Sequence, residues 1–340
     1  MATRAEAQQP NPAIIFETLN AYQNTAALKT GIELDIFTAI GEGTNTAAEL
    51  AGRCATSERG MRILCDYLTI LGFLTKQGNR YGLTPDSAMF LDRRSPACLA
   101  SVTMFLASSE SIDASKQLTA AVRKGGSMLP GDGSIEPDNP IWVKFARGMA
   151  PMMAVPAEQM ARLLNADSGQ KWKVLDIAAG HGLFGVTLAK HNPNAEIFAV
   201  DWKNVLEVAK ENAEKAGVGA RHHGIPGSAF DVEFGSGYDL VLLTNFLHHF
   251  DAATNEKLLR KVHAALAPGG RAVVLEFVPN DDRVTPRVAA GFSMIMLNGT
   301  PSGDAYTFAE FERMFRAAGY SGSELHALPP TFQNVIISQK

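Results

Sequence analysis

Two residues in the second half of the chain have the types and placement needed for proton transfer. His248 closes the apolar run YDLVLLTNFLHHF, and Glu276 closes RAVVLEF. Both runs read as β-strands of a largely parallel sheet, and in the usual order they are neighbours, about 4.8 Å apart. The two side chains then share the rim of one pocket. A neutral imidazole oriented by a carboxylate is a general base matched to neutral pH. The other histidines are less well placed. His181 lies in a glycine turn, His222 and His223 lie at a short strand, and His249 is expected to face the other side of its strand or to cap the next helix. His248, His249 and Asp251 lack the i, i+4 spacing that sets two histidines on one helix face, so no metal is expected.

A second set of residues has the spacing of a nucleoside site. Lys173 to Trp202 reads as strand, glycine-rich turn, helix and second strand, with Gly180, Gly182 and Gly185 as a literal G-x-G-x-x-G. Glycines there let backbone N–H groups approach a ligand at the positive end of a helix dipole. Asp201, at the tip of the second strand, is placed to accept hydrogen bonds from a ribose diol. This stretch implies a nucleoside-containing cofactor and leaves open whether it is a dinucleotide or S-adenosylmethionine.

The elements that must position these residues alternate from Lys171 onward as strand and helix, a doubly wound α/β pattern. Ser323–Ala327 and Asn334–Ser338, joined through Leu328-Pro-Pro-Thr, are expected to close the sheet as an antiparallel hairpin. Ligands bind beyond the carboxyl ends of such strands. The candidates are therefore Asp176 and Ala178, Asp201, Gly227 to Phe230, Thr244 to His249, and Glu276.

The N-terminal half is different. Asn11 to Ile40 reads as mainly helical, with Ile15, Leu19, Tyr22 and Ala26 near period 3.6. Thr44-Asn-Thr46 and Thr56-Ser57 cap two further helices, and a hairpin turns at Gln77-Gly-Asn79. Helix, turn, helix and hairpin make a winged-helix pattern. Glu58, Arg59, Arg62 and Asp66 nearly cancel along its second helix, which argues for dimerisation over DNA binding. From Ala97 to Asn165 the chain is helical again around a Gly/Pro-rich loop at 125–140. The segment with Trp142, Phe145, Met149, Met152 and Met153 reads as core or as a lid over the substrate. The expected division is 1–100 for dimerisation, 101–170 for a helical linker or lid, and 171–340 for catalysis.

Composition narrows the function classes. A net charge of −4 gives no electrostatic footprint for nucleic acid. No apolar run approaches a membrane span, and the N-terminus lacks the apolar core of a signal peptide. Three cysteines, Cys54, Cys65 and Cys98, lack C-x-x-C spacing and fit reduced thiols in a cytoplasmic protein.

Three features together resemble a family. Leu175-Asp-Ile-Ala-Ala-Gly-His-Gly182, Asp201 and Leu266-Ala-Pro-Gly-Gly270 resemble a class I S-adenosylmethionine-dependent methyltransferase with its Rossmann-like sheet. With the winged-helix half, residues 12–338 resemble the caffeic acid/acetylserotonin type of small-molecule O-methyltransferase, in a bacterial-like form. The resemblance implies methyl transfer from S-adenosylmethionine, leaving S-adenosylhomocysteine, to a hydroxyl of a small aromatic molecule, in a homodimer. It places the catalytic base on His248 and a flanking carboxylate on Glu276. The family's second flanking glutamate falls on Ala305, with Asp304 adjacent as the substitute candidate. Cofactor contacts fall on Asp176, Ala178, Gly180, Gly182, Asp201, Trp202, Gly227, Ser228, Ala229, Phe230 and Thr244. Ser228 and Ala229 replace an acid and a bulky residue, and Thr244 replaces a lysine. Acceptor contacts are expected from Trp142, Phe145, Met149, His249, Phe292 and Met296, with Met294 nearby. The alternatives are a metabolite-sensing winged-helix regulator, a non-methylating enzyme on the same scaffold, and an NAD-linked dehydrogenase.

Overall fold

A computed structural model describes residues 10–131, 133 and 139–340. The first nine residues, read for a targeting signal, and 132 and 134–138 of the expected 125–140 loop lie outside the described residues. The chain divides into two compact units, Met1–Thr103 and Met104–Lys340.

In the first unit the stretch expected as mainly helical is three helices, α1 (Ala13–Asn20), α2 (Tyr22–Glu33) and α3 (Ile36–Gly41). Asp35, at φ 55°, breaks the chain between α2 and α3. Thr46 forms a capping box with Glu49 at the start of α4 (Ala47–Arg53), and Ser57 caps α5 (Glu58–Ile70). The side-chain oxygens thereby satisfy N–H groups that have no partner in the first turn. A hairpin of β1 (Leu74–Gln77) and β2 (Arg80–Leu83) completes the order read from the sequence, and α6 (Pro85–Phe90), which that reading lacked, follows it. Ile36, Phe37, Leu50, Met61 and Leu68 are almost wholly buried. The apolar period of the first helices does not join them, for Ile15, Leu19 and Tyr22 are 59%, 66% and 69% exposed. On α5, Asp66 accepts from Arg62, Lys76 and the Tyr81 hydroxyl, so its charge is matched within the unit.

The second unit follows α7 (Thr103–Leu106), which straddles the boundary. Its helices α8 (Ser109–Lys116), α9 (Leu118–Lys124) and α10 (Ile141–Leu163) precede the sheet. Then come β3 (Trp172–Ile177), α11 (Leu183–His191), β4 (Ala195–Asp201), α12 (Lys203–Lys215), β5 (His222–Pro226), β6 (Tyr238–Thr244), α13 (Ala252–Ala265) and β7 (Leu266–Glu276). The chain finishes with α14 (Arg287–Gly299), α15 (Phe308–Ala317), β8 (Gly322–Ala327) and β9 (Asn334–Gln339).

The seven strands lie in the order β5-β4-β3-β6-β7-β9-β8. The first five are parallel, and β9 and β8 join antiparallel as the expected hairpin. Leu175, Ile177, Val241, Leu243, Val274 and Ile336 are fully buried in its core. Each such side chain contributes about 1.5–3 kcal/mol. The strand order reverses between β3 and β6, and that switch point opens the crevice where ligands of such sheets bind. The expected linker or lid, 101–170, belongs from Met104 onward to this unit, because α10 packs on α11 and α12. Helix α10 runs through Pro151 and Pro156, each of which forfeits a backbone hydrogen bond. Burial of Ala146, Met149, Met153, Ala157 and Met160 on one face offsets that loss.

Candidate active site

The glycine turn after β3 shows why each glycine is needed. At Gly182, φ 71°, a Cβ would lie 2.8 Å from Ala209 Cβ of α12, and at Gly185 it would lie 2.6 Å from Ile197 Cγ2 of β4. Those two glycines serve close packing. Gly180, φ 57°, is different, because a Cβ there would find no atom nearer than Phe145 at 3.8 Å. It faces a cavity of about 300 Å³ at the switch point.

Ala178, Gly180, Asp201, Trp202, Gly227, Ser228, Ala229, Phe230 and Thr244, of the residues expected at the cofactor, line this cleft. Asp201 accepts from the Gly180 N–H at 2.8 Å and the Trp202 N–H at 2.7 Å. Burial pushes its carboxyl up to about 6 against these donors. Asp176 and Gly182 do not line the cleft. Asp176 is fully buried, its Oδ2 accepts from the Gly185 N–H at 3.2 Å, and its Oδ1 has no partner. Burial pushes Asp176 up to about 7. A crest of open backbone, a strand-tip carboxylate and an apolar wall fit an adenosine-bearing cofactor.

Across the switch point, β6 ends at Thr244, so His248 is not on the strand as expected. It stands beyond it, in a single 3-10 turn, Leu247–His249. Asn255, buried in α13, ties that turn down by donating to the Leu247 carbonyl at 2.8 Å. Glu276 ends β7, beside β6 as expected. Its Oε2 lies 2.6 Å from His248 Nδ1, while Oε1 accepts from the backbone N–H groups of Phe246 at 3.0 Å and His248 at 3.3 Å. The carboxylate is 1% exposed and His248 5%. A buried carboxylate is tolerable because donors from three groups surround it. Nδ1–H donating to Glu276 fixes the tautomer in which Nε2 carries the lone pair.

His249 neither faces away nor caps the next helix. It lines the cleft, its ring 5.3 Å from Trp142, and Nδ1 lies 3.1 Å from the Phe246 carbonyl. The helix cap is Asp251, which accepts from the Thr254 N–H at 2.7 Å. Burial, and after it the adjacent His248, hold the His249 imidazole well below its ordinary value. Burial likewise lowers His181 to about 4.

Among the residues expected at the acceptor, Trp142 and Phe145 line the cleft with His249. Phe292 sets its ring edge-on to His248 at 4.8 Å and stacks on Phe277. Met149 and Met296 are buried outside the cleft lining, and Met294 is half exposed. So the N-terminal turns of α10 wall the cleft, and the turns that follow are core. Asp304 is not brought to His248. Arg283 holds it at 3.0 Å and the Ala305 N–H donates to it at 2.8 Å, so the candidate second carboxylate is spent on an ion pair. Gly303 packs too closely on the His248 carbonyl oxygen for any side chain. Phe250 and Asp231 also line the cleft and were missed. Phe250 sits just beyond the flagged strand tip, and Asp231 just beyond Phe230. Among the described residues no cluster of three or more His, Cys, Asp or Glu could hold a metal ion, and no helix is long and apolar enough to cross a membrane.

Fold and site together define an S-adenosylmethionine-dependent methyltransferase. The sequence matches the O-methyltransferase domain over residues 117–321 and the O-methyltransferase dimerisation domain over residues 16–93. The chain belongs to this O-methyltransferase family. A Nostoc punctiforme protein assigned to the O-methyltransferases is 56% identical, with a TM-score of 0.95 over 98% of this chain and 100% of that one. A 3-hydroxy-5-methyl-1-naphthoate 3-O-methyltransferase from Streptomyces sahachiroi is 29% identical over 316 residues, 91% of this chain and 90% of its own. Human N-acetylserotonin methyltransferase in complex with S-adenosylmethionine shares the fold, with a TM-score of 0.84 at 19% identity over 98% of this chain and 99% of that one.

Proposed function

We propose that the chain methylates a phenolic hydroxyl of a small aromatic molecule, with His248 as general base. The observation that carries this reading is the 2.6 Å contact between His248 Nδ1 and buried Glu276. A phenol, with a pKa of about 10 like that of tyrosine, is a poor nucleophile until its proton leaves. His248 Nε2 takes that proton, and Glu276 stabilises the imidazolium that results. The cofactor supplies a methyl group on a sulfonium, already a good leaving group. The protein's remaining work is to align acceptor and methyl and to exclude water. Trp142, Phe145, Phe246 and Phe292 supply the apolar walls. Asp201 accepts from the ribose, and Gly180 lets the cofactor approach the backbone.

Relatives that act on aromatic hydroxyls support the acceptor class, among them the naphthoate enzyme and mouse acetylserotonin O-methyltransferase. Another relative, from Streptomyces lavendulae, is an L-tyrosine C(3)-methyltransferase, 24% identical over 319 residues. The acceptor atom therefore needs a direct test. We further read the protein as a cytoplasmic homodimer joined through the dimerisation domain, with no metal in the methyl-transfer step.

A panel of phenols, arylamines and aryl carboxylic acids, screened for S-adenosylhomocysteine release with product identification by mass spectrometry, tests the reading. Aryl methyl ethers from the phenols, unaffected by a chelator, are expected. Turnover confined to amines or to ring carbon would overturn it.

A further inference from the structure

Asn245 is a polar side chain in the cleft to which the proposed reaction gives no part. It follows β6 directly and holds φ 54°, in the left-handed region that Asn tolerates better than most side chains. Its backbone N–H donates to the Leu275 carbonyl of β7 at 2.8 Å. The side-chain amide is also fixed. Gln333, in the β8–β9 connection and 2% exposed, donates from Nε2 to Asn245 Oδ1. Gln159 of α10 anchors the same connection by donating to the Pro329 carbonyl at 2.6 Å. With Oδ1 engaged, Asn245 Nδ2 is directed away from Gln333, and its partner is the Met153 sulfur at 3.7 Å. A thioether is a weak acceptor, so the amide retains N–H capacity for a stronger one.

The order of strand tips says what that acceptor is. Along the sheet edge stand Gly227 to Phe230 after β5, Asp201 at β4, the Gly180 crest after β3, Asn245 after β6 and Glu276 at β7. A cofactor with its ribose at Asp201 and its reactive end toward His248 runs its amino-acid tail across β3 and β6. That tail carries a carboxylate, and no Lys or Arg is among the described residues lining the cleft. Neutral N–H donors must receive it.

We propose that Gln333 is a positioning residue that fixes the Asn245 amide so that Nδ2 donates to the cofactor carboxylate. This rests on the cofactor placement proposed above. The C-terminal hairpin, remote in sequence from the glycine turn, then sets cofactor affinity.

Calorimetry on the full chain tests it with two ligands, S-adenosylhomocysteine and 5′-methylthioadenosine, which lacks the amino-acid tail. Gln333→Glu can only accept, so it draws Nδ2 to itself and turns Asn245 Oδ1 toward the carboxylate. Gln333→Met keeps the volume and leaves the amide free to rotate. Both are expected to bind S-adenosylhomocysteine about tenfold or more weakly and methylthioadenosine as the parent does. Retained methylthioadenosine binding also shows the variant to be folded. Equal losses for both ligands, or unchanged S-adenosylhomocysteine affinity in Gln333→Met, would overturn the proposal. Asp201→Ala is the control for placement. If it leaves both affinities unchanged, the cofactor placement fails and this proposal falls with it.

Discussion

On the β3–β4 side of the cleft, Asp176 and Asp201 are held by backbone N–H groups alone, and burial lifts their carboxyls to about 7 and about 6. On the β6–β7 side, Glu276 is more deeply enclosed than Asp201, and two backbone N–H groups and the His248 imidazole surround it. On the first side Asp201 lines the cleft, where its carboxylate can accept from a ligand. On the second, the Glu276–His248 pair is complete before any ligand arrives. A binding surface gains from groups that a ligand can satisfy, whereas a base gains from being oriented in advance.

The sharpest way to break this contrast is Glu276→Gln. The amide can still accept the two backbone N–H groups, but its NH2 then faces Nδ1 and forces the proton onto Nε2. Turnover is expected to fall on the order of 10³-fold, as wrong-tautomer variants do elsewhere, with S-adenosylhomocysteine affinity kept. Steady-state kinetics beside calorimetry checks both halves.

On the cofactor side the expected effect is a pH dependence. The Asp201 carboxyl is raised above its unfolded value of 3.8 by burial, so the native state holds a proton that the unfolded state has lost. Its contribution to stability is present below the unfolded value and is lost as pH rises through about 6. Binding runs the other way, because accepting from a ribose favours the ionised form. S-adenosylhomocysteine affinity is expected to weaken by up to about tenfold per pH unit below 6. Asp201→Asn should flatten that slope.

The smallest effects separate packing from binding within the glycine turn. Gly182→Ala drives a Cβ into Ala209 at positive φ and is expected to cost about 1–3 kcal/mol of stability. Gly180→Ala meets open space, so its main effect is weaker cofactor binding, with roughly 1 kcal/mol of backbone strain. Chemical denaturation and calorimetry on the two variants resolve the difference.

The sheet and its candidate rim were legible because strand tips follow from alternation alone. Gly180, Asp201, His248 and Glu276 all sit where apolar runs end. Boundaries were less legible. The run to Phe250 does not betray that β6 stops at Thr244 and that Asn255 pins the turn beyond it. Long-range partners were invisible, since nothing near Asp304 in sequence announces Arg283, and nothing near Asn245 announces Gln333. Periodicity showed a face on the first helices but not what it meets. Ile15, Leu19 and Tyr22 lie exposed in a segment overlapping the matched dimerisation domain. Met149 and Met296 fit an acceptor wall by type and are core by position.

In the proposed reaction His248 is the base and not part of the cofactor's binding surface. The direct measurement is His248→Ala, compared with the parent by calorimetry with S-adenosylhomocysteine and by single-turnover methylation of a phenol. Unchanged affinity and a rate lower by about 10²–10⁴-fold are expected. An unchanged rate, or a loss of affinity that accounts for the whole effect, would contradict it.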